Sequence, residues 1–506
     1  MIALKDQNVL ILGLGLSGLA MALWCARCGA RISVADTRPS PPQLEVLRLK
    51  VPHVTFICSD LNANLVEGKG FDAVFKSPGL TPAMVRAIGE SLEKTSHRLS
   101  GELELFSQAL ADLKKLQNYA PRVLAITGTN GKTTVTALTG QLIARAKKTV
   151  AVAGNIGPTL LDTLTARLES NSLPEIWVTE LSSFQLDGAR GFEPDAATVL
   201  NVTQDHLDWH GSMPAYIAAK ANVFGKQAKM LLNRDDPLVL SMLPAVSHQG
   251  RIKDRQVRDY ETFGGGMPTR PGDFGLEEAN GMVWLVRALK SDGAHRKRAD
   301  SSEELFFQRL LPTEALRIRG RHNAVNALAA LALASSVGCR MAPLLFGLRE
   351  YAGEPHRVES VAVVNGIEFF DDSKGTNVGA TIAALAGLGA ERKIVVIMGG
   401  DGKGQDFSAL APPVSRFAKA VVLIGRDANL IRTALVATKV AMWEATTMHD
   451  AVALAYRQAD AGDAVLMSPA CASFDMFENY PHRAAVFREA VAAIAQKPIL
   501  EPGDSA

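Results

Sequence analysis

The stretch 123–134, VLAITGTNGKTT, contains the residue types that a phosphate-binding site requires. Residues 123–126 are apolar and predict a short buried strand, and an apolar helical pattern starts at Val135. Glycines between the two let backbone N–H groups approach phosphate oxygens, and the helix N-terminus adds free donors. The lysine can reach the β- and γ-phosphates, and the next hydroxyl can ligate Mg²⁺. The stretch therefore predicts a P-loop made of Gly128, Thr129, Asn130, Gly131, Lys132, Thr133 and Thr134.

This loop departs from the general P-loop pattern at one position, because the pattern's first glycine is replaced here by Ile126. The structural alternative is a tight strand–helix turn that carries a lysine and binds nothing. The order of strand, glycine loop, Lys-Thr and helix is the context that the motif requires, and it favours phosphate binding.

A second glycine loop lies near the start of the chain. A strand at Asn8–Leu12 leads into GLGLSG at 13–18 and a helix at Leu19–Cys28, and a strand at Arg31–Ala35 ends beside Asp36. This βαβ pattern is typical of an NAD or FAD site. Because backbone N–H groups recognise phosphate and not nicotinamide, the loop suits any nucleotide diphosphate, and a Rossmann half without ligand also remains open.

Polar residues follow the predicted strands of both regions. Ser77-Pro78-Gly79 follows a strand at Ala73–Ser77 and offers another phosphate or substrate contact. In the central region, strands are predicted at Thr149–Ala153, Ile176–Thr179 and Ala197–Val202, and they precede Asn155, Glu180 and His206. Ligands bind outside the carboxyl ends of the strands in open α/β sheets. Glu180 and His206 are therefore expected to be Mg²⁺ ligands or their outer-shell partners.

A third α/β region is predicted after Gly353. Its strand ends carry Lys374, Thr376, Lys403 and Ser473, a set that suits a small anionic substrate such as an amino-acid carboxylate. Before this region, RHNAVN at 321–326 opens an alanine-rich helix and places Asn323 and Asn326 on one helix face, where they could read an adenine edge.

Between residues 246 and 316 the pattern weakens, and only Tyr260–Phe263 and Met282–Val286 resemble strands. The polar, partly basic run 288–304 could be a nucleic-acid patch, but a solvated hairpin loop is favoured because aromatic residues are absent. Cys25 and Cys28 form a lone CxxC inside a helix. This pattern favours buried structural thiols over a zinc or redox site.

Length and composition restrict the class of protein. The 506 residues exceed a single hydrophobic core, so about three domains are expected. A net charge of +2, with 47% hydrophobic and 21% charged residues, gives no electrostatic argument for nucleic acid or a membrane surface. No membrane span, signal peptide or disulfide framework is predicted, so a cytoplasmic protein is expected.

The motifs, in order, resemble those of the Mur ligase family. They are TGTNGKTT, GNIG, ELSSFQL, NVTQDHLDWHG, RHNAVNALAAL, EPHRVE, DDSKGTNVGAT, GGDGKGQDF and SPACASFDMF. The likeness covers nearly the whole chain, except for an apparent insertion around 288–304. GLGLSG together with the DDSKGTN and SPACASFDMF loops resembles the D-glutamate-adding members most. The resemblance implies an α/β protein with a Rossmann-like UDP-substrate domain (1–117), a P-loop ATP domain (118–352) and a Rossmann-like amino-acid domain (353–506).

The family reaction implied is ATP-dependent amide formation between UDP-N-acetylmuramoyl-L-alanine and D-glutamate in cytoplasmic peptidoglycan precursor synthesis. A carboxylate is a poor acyl donor, and its phosphorylation supplies a good leaving group. The amine then displaces phosphate, and both charge-rich steps need electrostatic stabilisation. No nucleic-acid or membrane partner is implied, and a monomer is expected.

The resemblance also implies roles for individual residues. Catalysis is assigned to Lys132, Glu180, His206 and Lys220, and two Mg²⁺ sites to Thr133, Glu180, His206 and Lys220, with Lys220 carbamylated. ATP contacts beyond the P-loop fall on Asn323, Asn326, Arg357 and Asp372. UDP-substrate contacts fall on Leu16, Ser17, Asp36, Thr37, Arg38, Ser77, Gly79 and Asn155. D-Glutamate contacts fall on Lys374, Thr376, Lys403, Ser473, Phe474 and Tyr480. Phe474 and Tyr480 depart from the commonest family residues.

Three alternatives remain beside this reading. A sibling Mur ligase would add a different amino acid. An NAD-dependent oxidoreductase would use GLGLSG but would leave the second and third domains unexplained. A nucleotide-binding regulator or P-loop transport protein would use the P-loop without ligating a substrate.

Overall fold

The computed structural model describes residues 4–244, 258–290, 305–389 and 392–496, and it is an α/β protein built on parallel sheets. Two compact units are present. The first comprises Met1–Val202, His206–Thr313 and Val325–Glu350, and the second comprises Thr203–Asp205, Glu314–Ala324 and Tyr351–Ala506. Within the described ranges, none of the helices combines the length and apolar character that a membrane span needs.

The N-terminal sheet has five parallel strands in the order β3-β2-β1-β4-β5. Its strands are β1 (Asn8–Leu12), β2 (Arg31–Asp36), β3 (Thr55–Cys58), β4 (Ala73–Lys76) and β5 (Leu99–Ser100). Its helices are α1 (Leu16–Arg27), α2 (Leu44–Lys50), α3 (Pro82–Glu93) and α4 (Glu102–Gln117). The helix predicted from Leu19 starts three residues earlier, so the last residues of GLGLSG form its first turn. Cys25 and Cys28 are buried, and burial raises the pKa of both thiols.

The central sheet has six parallel strands in the order β11-β10-β9-β6-β8-β7. They are β6 (Arg122–Thr127), β7 (Val150–Gly154), β8 (Ile176–Glu180), β9 (Ala196–Val199), β10 (Lys229–Asn233) and β11 (Tyr260–Phe263). The accompanying helices are α5 (Lys132–Arg145), α6 (Leu160–Glu169), α7 (Ser183–Leu186), α8 (Leu207–His210), α9 (Met213–Ala221), α10 (Pro237–Leu240), α11 (Arg321–Ser336) and α12 (Met341–Glu350). The hydrophobic core is continuous from the first sheet into the second, where Phe106 packs edge-to-face on Trp177 at 5.1 Å between ring centroids.

The weakly patterned region holds a three-stranded antiparallel sheet, of which the sequence predicted only the strand at Met282–Val286. Its strands are β12 (Phe274–Ala279), β13 (Met282–Lys290) and β14 (Leu305–Pro312). The solvated-loop prediction is wrong for residues 288–290, which continue β13 and pair with β14. Residues 291–304, the rest of that prediction, lie outside the described residues.

The second unit contains a six-stranded sheet in the order β15-β16-β20-β17-β18-β19, parallel except for the β15–β16 hairpin. Its strands are β15 (Glu359–Val364), β16 (Ile367–Asp371), β17 (Ile394–Gly399), β18 (Ala418–Ile424), β19 (Ala441–Glu444) and β20 (Ala464–Met467). Its helices are α13 (Val378–Gly389), α14 (Ala411–Phe417), α15 (Ala428–Leu435), α16 (Met448–Gln458) and α17 (Tyr480–Ala495). Buried aliphatic residues cover both faces of this sheet, as a parallel sheet between helices requires.

Candidate active site

The predicted P-loop connects β6 to α5, and Gly131 takes the left-handed conformation (φ +84°) directly before the first helical residue, Lys132. A Cβ at Gly131 would lie 2.8 Å from Oδ1 of Asn326 on α11. The loop thus needs glycine both for its backbone angle and for this close approach. Thr133 and Thr134 lie in the first turn of α5, where the helix N-terminus favours negative charge.

Two lysine amines meet at one carbonyl oxygen of this loop. Lys132 Nζ donates to the carbonyl oxygens of Gly128 and Thr129, at 2.9 Å each. Lys220 Nζ, on α9, also donates to the Gly128 oxygen at 2.9 Å, although Lys220 is 92 residues away in sequence and only 1% exposed. The structure therefore brings these two predicted catalytic residues together.

Asn201, which the sequence analysis missed, holds the P-loop from the other side. Its backbone oxygen accepts from Thr129 N at 2.9 Å, its side-chain oxygen accepts from Asn130 N at 2.8 Å, and its amide donates to the Asn130 oxygen at 3.0 Å. The strand predicted to Val202 ends at Val199, opposite Thr127, the last residue of its partner β6. The signal that could have found Asn201 is its position right after a strand of the P-loop sheet.

An aromatic and histidine cluster surrounds Lys220. The Lys220 amine lies 4.5 Å from the ring centroid of Tyr216, whose hydroxyl is 3.0 Å from Thr129 Oγ1. The His206 ring packs edge-on against Phe184 at 4.8 Å and lies 6.4 Å from Tyr216. The cluster links His206 to the P-loop through Tyr216, a residue that the sequence analysis did not single out.

His210 belongs to the same cluster and was also missed. Its Nε2 is 2.9 Å from Ser183 Oγ, and its ring lies 5.1 Å from that of Tyr216. Burial, together with the nearby His206 and Lys220, lowers the pKa of His210 to about 4. His210 is therefore uncharged at neutral pH and adds no cation beside the lysines.

Glu180 lies at the carboxyl end of β8, directly paired with Ile126 of β6, and is 3% exposed. Its Oε1 accepts from Asn155 Nδ2 at 3.1 Å, and its backbone oxygen accepts from Asn155 N at 2.8 Å. A Cβ at Gly154 would lie 2.1 Å from that oxygen, so only glycine fits there. The Thr133 hydroxyl and the Glu180 carboxylate are oxygen donors of the kind that Mg²⁺ prefers, whereas the His206 imidazole is a softer donor.

The GLGLSG loop opens on a cleft of about 450 Å³. Seven predicted UDP-substrate residues line it, namely Leu16, Ser17, Asp36, Thr37, Arg38, Ser77 and Gly79. The eighth, Asn155, is not among the residues that line this cleft, and it bonds to Glu180 instead.

Asp36 organises this cleft. Its Oδ2 accepts from Leu14 N at 2.7 Å and from Arg38 Nη2 at 2.8 Å, and its Oδ1 accepts from the Arg38 backbone N and Nε at 2.9 Å. The Arg38 guanidinium holds the pKa of Asp36 at about 2. In NAD sites the corresponding carboxylate accepts ribose hydroxyls. Here four protein N–H groups bond to it, so Asp36 fixes the positions of the Leu14 backbone and of Arg38 at the cleft.

Five of the six predicted amino-acid residues occupy three loops of the second unit, and the sixth, Tyr480, is the first residue of α17. Lys374 Nζ lies 3.9 Å from the ring centroid of Tyr480. Ser473 is 3% exposed, whereas the Phe474 side chain is 69% exposed. Thr376 N donates to the Lys374 oxygen at 2.9 Å, and Lys403 has φ +51° in a loop where its N–H bonds to Asp401 Oδ1 at 3.0 Å.

The four further predicted ATP residues divide between the units. Asn326 lies in the first unit, and Asn323, Arg357 and Asp372 lie in the second. Asn323 Nδ2 donates to the Arg319 oxygen at 2.8 Å. Asp372 is buried and accepts from Ser468 Oγ at 2.7 Å, and burial raises its pKa to about 7.

Three models of Mur ligase domains match the chain. The MurD-like N-terminal domain matches residues 7–94, the middle domain residues 126–253, and the glutamate ligase domain residues 356–471. The chain is 64% identical over 493 residues to a UDP-N-acetylmuramoylalanine–D-glutamate ligase of Albidiferax ferrireducens, covering 97% of each chain. It is 54% identical to the enzyme of that name from Ralstonia nicotianae, covering 97% of this chain and 98% of that one.

Solved structures of other ligases share the fold at lower identity. MurF of Acinetobacter baumannii superposes with a TM-score of 0.56 at 16% identity, covering 96% of this chain and 91% of that one. UDP-N-acetylmuramate-alanine ligase MurC of Thermotoga maritima gives 0.53 at 19% identity, covering 97% and 100%. The matching domains and the close relatives lead to one conclusion: the chain belongs to the Mur ligase family.

Proposed function

We propose that this protein joins D-glutamate to UDP-N-acetylmuramoyl-L-alanine, with ATP converted to ADP and phosphate, as a step of peptidoglycan precursor synthesis. The observation that carries the proposal is the 64% identity, over 97% of the chain, to a D-glutamate ligase. The geometry supports it, because the P-loop and the cleft beside GLGLSG suit the two nucleotide-bearing substrates. Since ATP and UDP-linked precursors are cytoplasmic metabolites, the reaction takes place in the cytoplasm. The proposal also has the chain act as a monomer.

The domain roles in this proposal follow the three larger sheets. Residues 1–117 bind the UDP substrate, residues 118–352 bind ATP, and residues 353–506 bind the amino acid. In the first domain, the cleft holds the UDP moiety, with Arg38 kept at its rim by Asp36. Asn155 contacts the sugar-peptide arm.

The first chemical step forms an acyl phosphate. A carboxylate oxygen of the muramoyl-alanine attacks the γ-phosphorus of ATP, and the bond to the β–γ bridging oxygen breaks to release ADP. Lys132 and the N-terminus of α5 stabilise the negative charge on the phosphoryl oxygens. Thr133, Glu180 and His206 would hold Mg²⁺, which supplies Lewis-acid stabilisation of the same charge.

In the second step, the amine of D-glutamate attacks the acyl carbon, loses a proton, and phosphate leaves. Lys374, Thr376, Lys403, Ser473, Phe474 and Tyr480 bind the amino acid. Lys374 and Lys403 provide charge-assisted hydrogen bonds for its two carboxylates, and Thr376 and Ser473 provide hydroxyl groups beside them. Asn323, Asn326, Arg357 and Asp372 contact the adenosine or phosphates of ATP.

Lys220 has a separate role in this proposal. It reacts with CO₂ as an uncharged amine to form a carbamate, which changes a cation into an anion that can bind a second Mg²⁺ together with His206. The burial of Lys220 against Gly128 of the P-loop supports a role beside the transferred phosphate.

The test measures ADP release by the purified protein with Mg²⁺, ATP and UDP-N-acetylmuramoyl-L-alanine across D- and L-amino acids. We expect ADP release and an amide product with D-glutamate and not with L-glutamate. Equivalent release with L-alanine or a diamino acid would assign the chain to a sibling ligase. Absence of ATP consumption with every amino acid would contradict a ligase.

A further inference from the structure

Arg483 is a fully buried arginine to which neither the motifs nor the proposed reaction assigns a role. It lies on α17 one turn after Tyr480, the first residue of that helix, so both side chains project from the same helix face. Burial of a guanidinium costs much free energy unless its N–H groups are bonded. The hydrogen bonds of Arg483 should therefore show why the fold buries a guanidinium at this position.

The Arg483 guanidinium bonds to main-chain carbonyl oxygens of two loops. Its Nη2 donates to Ser373 O at 2.9 Å and to Cys471 O at 3.1 Å, and its Nη1 donates to Ala472 O at 3.4 Å. A planar fork with several donors can reach such a set of acceptors at once, whereas a lysine amine cannot. Arg483 thus ties together segments that are about 100 residues apart.

The two loops held by Arg483 carry four of the six proposed amino-acid contacts. Ser373 directly precedes Lys374, and Thr376 lies three residues after Ser373 in the same loop. Ala472 directly precedes Ser473 and Phe474. A small shift of either carbonyl would therefore move side chains proposed to bind the incoming amino acid.

The remaining two contacts connect to the same point. Ala472 exchanges two backbone hydrogen bonds with Asp401, at 2.8 and 3.0 Å, and Asp401 lies two residues before Lys403. Tyr480, one turn from Arg483, lies under the Lys374 amine at 3.9 Å. A Cβ at Gly400 would lie 2.3 Å from Ala472 O and 3.4 Å from Arg483 Nη1, so the three segments are closely packed here.

We propose that Arg483 is the positioning residue of the amino-acid site, which sets the relative geometry of the loops bearing Lys374, Ser473 and Lys403. This inference rests on the proposed function, because it assigns Arg483 to the site for the incoming amino acid. Arg483 acts through the loop carbonyls and does not itself contact the amino acid.

The test compares Arg483→Lys and Arg483→Met with a matched control. The control is Arg432→Met, which removes a partly exposed arginine of the same unit that pairs with Glu444 at 2.7 Å. We expect both Arg483 variants to raise the KM for D-glutamate at least tenfold. The KM values for ATP and for the UDP substrate should stay within twofold, and the control should resemble wild type.

Unchanged KM for D-glutamate in both variants would overturn the inference. Parallel increases of all three KM values, or a lower kcat with unchanged KM, would also overturn it, because these results indicate a general structural role. If wild type itself does not use D-glutamate, the proposed function fails, and that failure is distinct from failure of the inference.

A second set of measurements applies if the Arg483 variants fold poorly. Arg483→Ala leaves space for free guanidinium, which at low millimolar concentration should lower the KM for D-glutamate in this variant and not in Arg432→Met. Hydrogen exchange should show faster exchange at 371–376 and 470–475 than in wild type, with β17 and β18 unchanged. No rescue and no selective change in exchange would contradict the proposal.

Discussion

The loops at 13–18 and 128–131 both connect a parallel strand to a helix through glycines, yet different groups hold them. In the first loop, Gly13 O accepts from the Ser77 hydroxyl at 2.8 Å, and the Leu14 N–H bonds to the Asp36 carboxylate. In the second, Gly128 O accepts from two lysine amines.

This difference suits the first loop to nucleotide binding and the second loop to transfer of a nucleotide's phosphate. The first loop is held by a hydroxyl and a carboxylate and lies beside an open cleft, which suits a group that stays bound. The second has lysines, a histidine cluster and Glu180 around it, and these can stabilise charge that develops during a reaction. Related backbone geometry therefore supports two roles, and the side chains around each loop decide between them.

The largest expected effect is from removal of the lysine of the second loop. Lys132→Ala should lower kcat by about 10³-fold, because the amine stabilises charge on the transferred phosphoryl group. Binding of the UDP substrate, measured by calorimetry, should stay within twofold of wild type. The exposed Lys147→Ala, beyond the C-terminal end of α5, serves as control. Weaker binding of the UDP substrate in Lys132→Ala would contradict the proposal that the two loops have separate roles.

The next effect concerns the second amine at Gly128. Lys220→Ala should lower kcat by about 10²-fold, and acetate or propionate should restore part of it, since a short carboxylate can replace the carbamate. Lys226→Ala, at an exposed position after the same helix, should match wild type with and without acetate. Unchanged kinetics in Lys220→Ala, or a loss that no carboxylate reverses, would count against the carbamate.

The first loop should respond differently. Asp36→Asn replaces one accepting oxygen with an N–H₂ group that faces Leu14 N–H or Arg38, so the cleft loses its organiser. We expect a roughly tenfold higher KM for the UDP substrate, with kcat at saturation and the KM for ATP nearly unchanged. The exposed Asp60→Asn controls for charge. A fall in kcat at saturating substrate would give Asp36 a role in the chemical step.

Much of both loops could be predicted because the signals are local. Short segments at strand ends, together with the family resemblance, predicted seven cleft residues, and all seven line one cavity. Lys132 was recognised from the adjacent glycines together with the predicted strand before them and the predicted helix after them. Lys220 was different, since a lysine in a helix is usually a surface residue, and its burial against Gly128 depends on a contact across 92 residues.

Two of the residues that were not predicted act through non-local contacts. Asn201 meets the P-loop across 71 residues, and Arg483 meets Ser373 across 110. The strand β12 was missed because it contains a glycine and two adjacent glutamates, which weaken the strand pattern. Strand propensity depends strongly on the pairing partner, so such a strand becomes evident only with its neighbours.

The smallest expected effect tests whether a neutral histidine is part of the second loop's surroundings. The pKa of His210 is about 4 in the folded protein, against an ordinary value of 6.5. Between these values the unfolded chain binds more protons, so stability should fall as the pH decreases from 6.5 toward 4. His210→Gln keeps a partner for Ser183 without titrating, and between pH 7 and 5 its melting temperature should fall less than that of wild type, by roughly 2 °C. The exposed His449→Gln should follow wild type, and equal losses in all three proteins would show that His210 is not held uncharged beside the lysines.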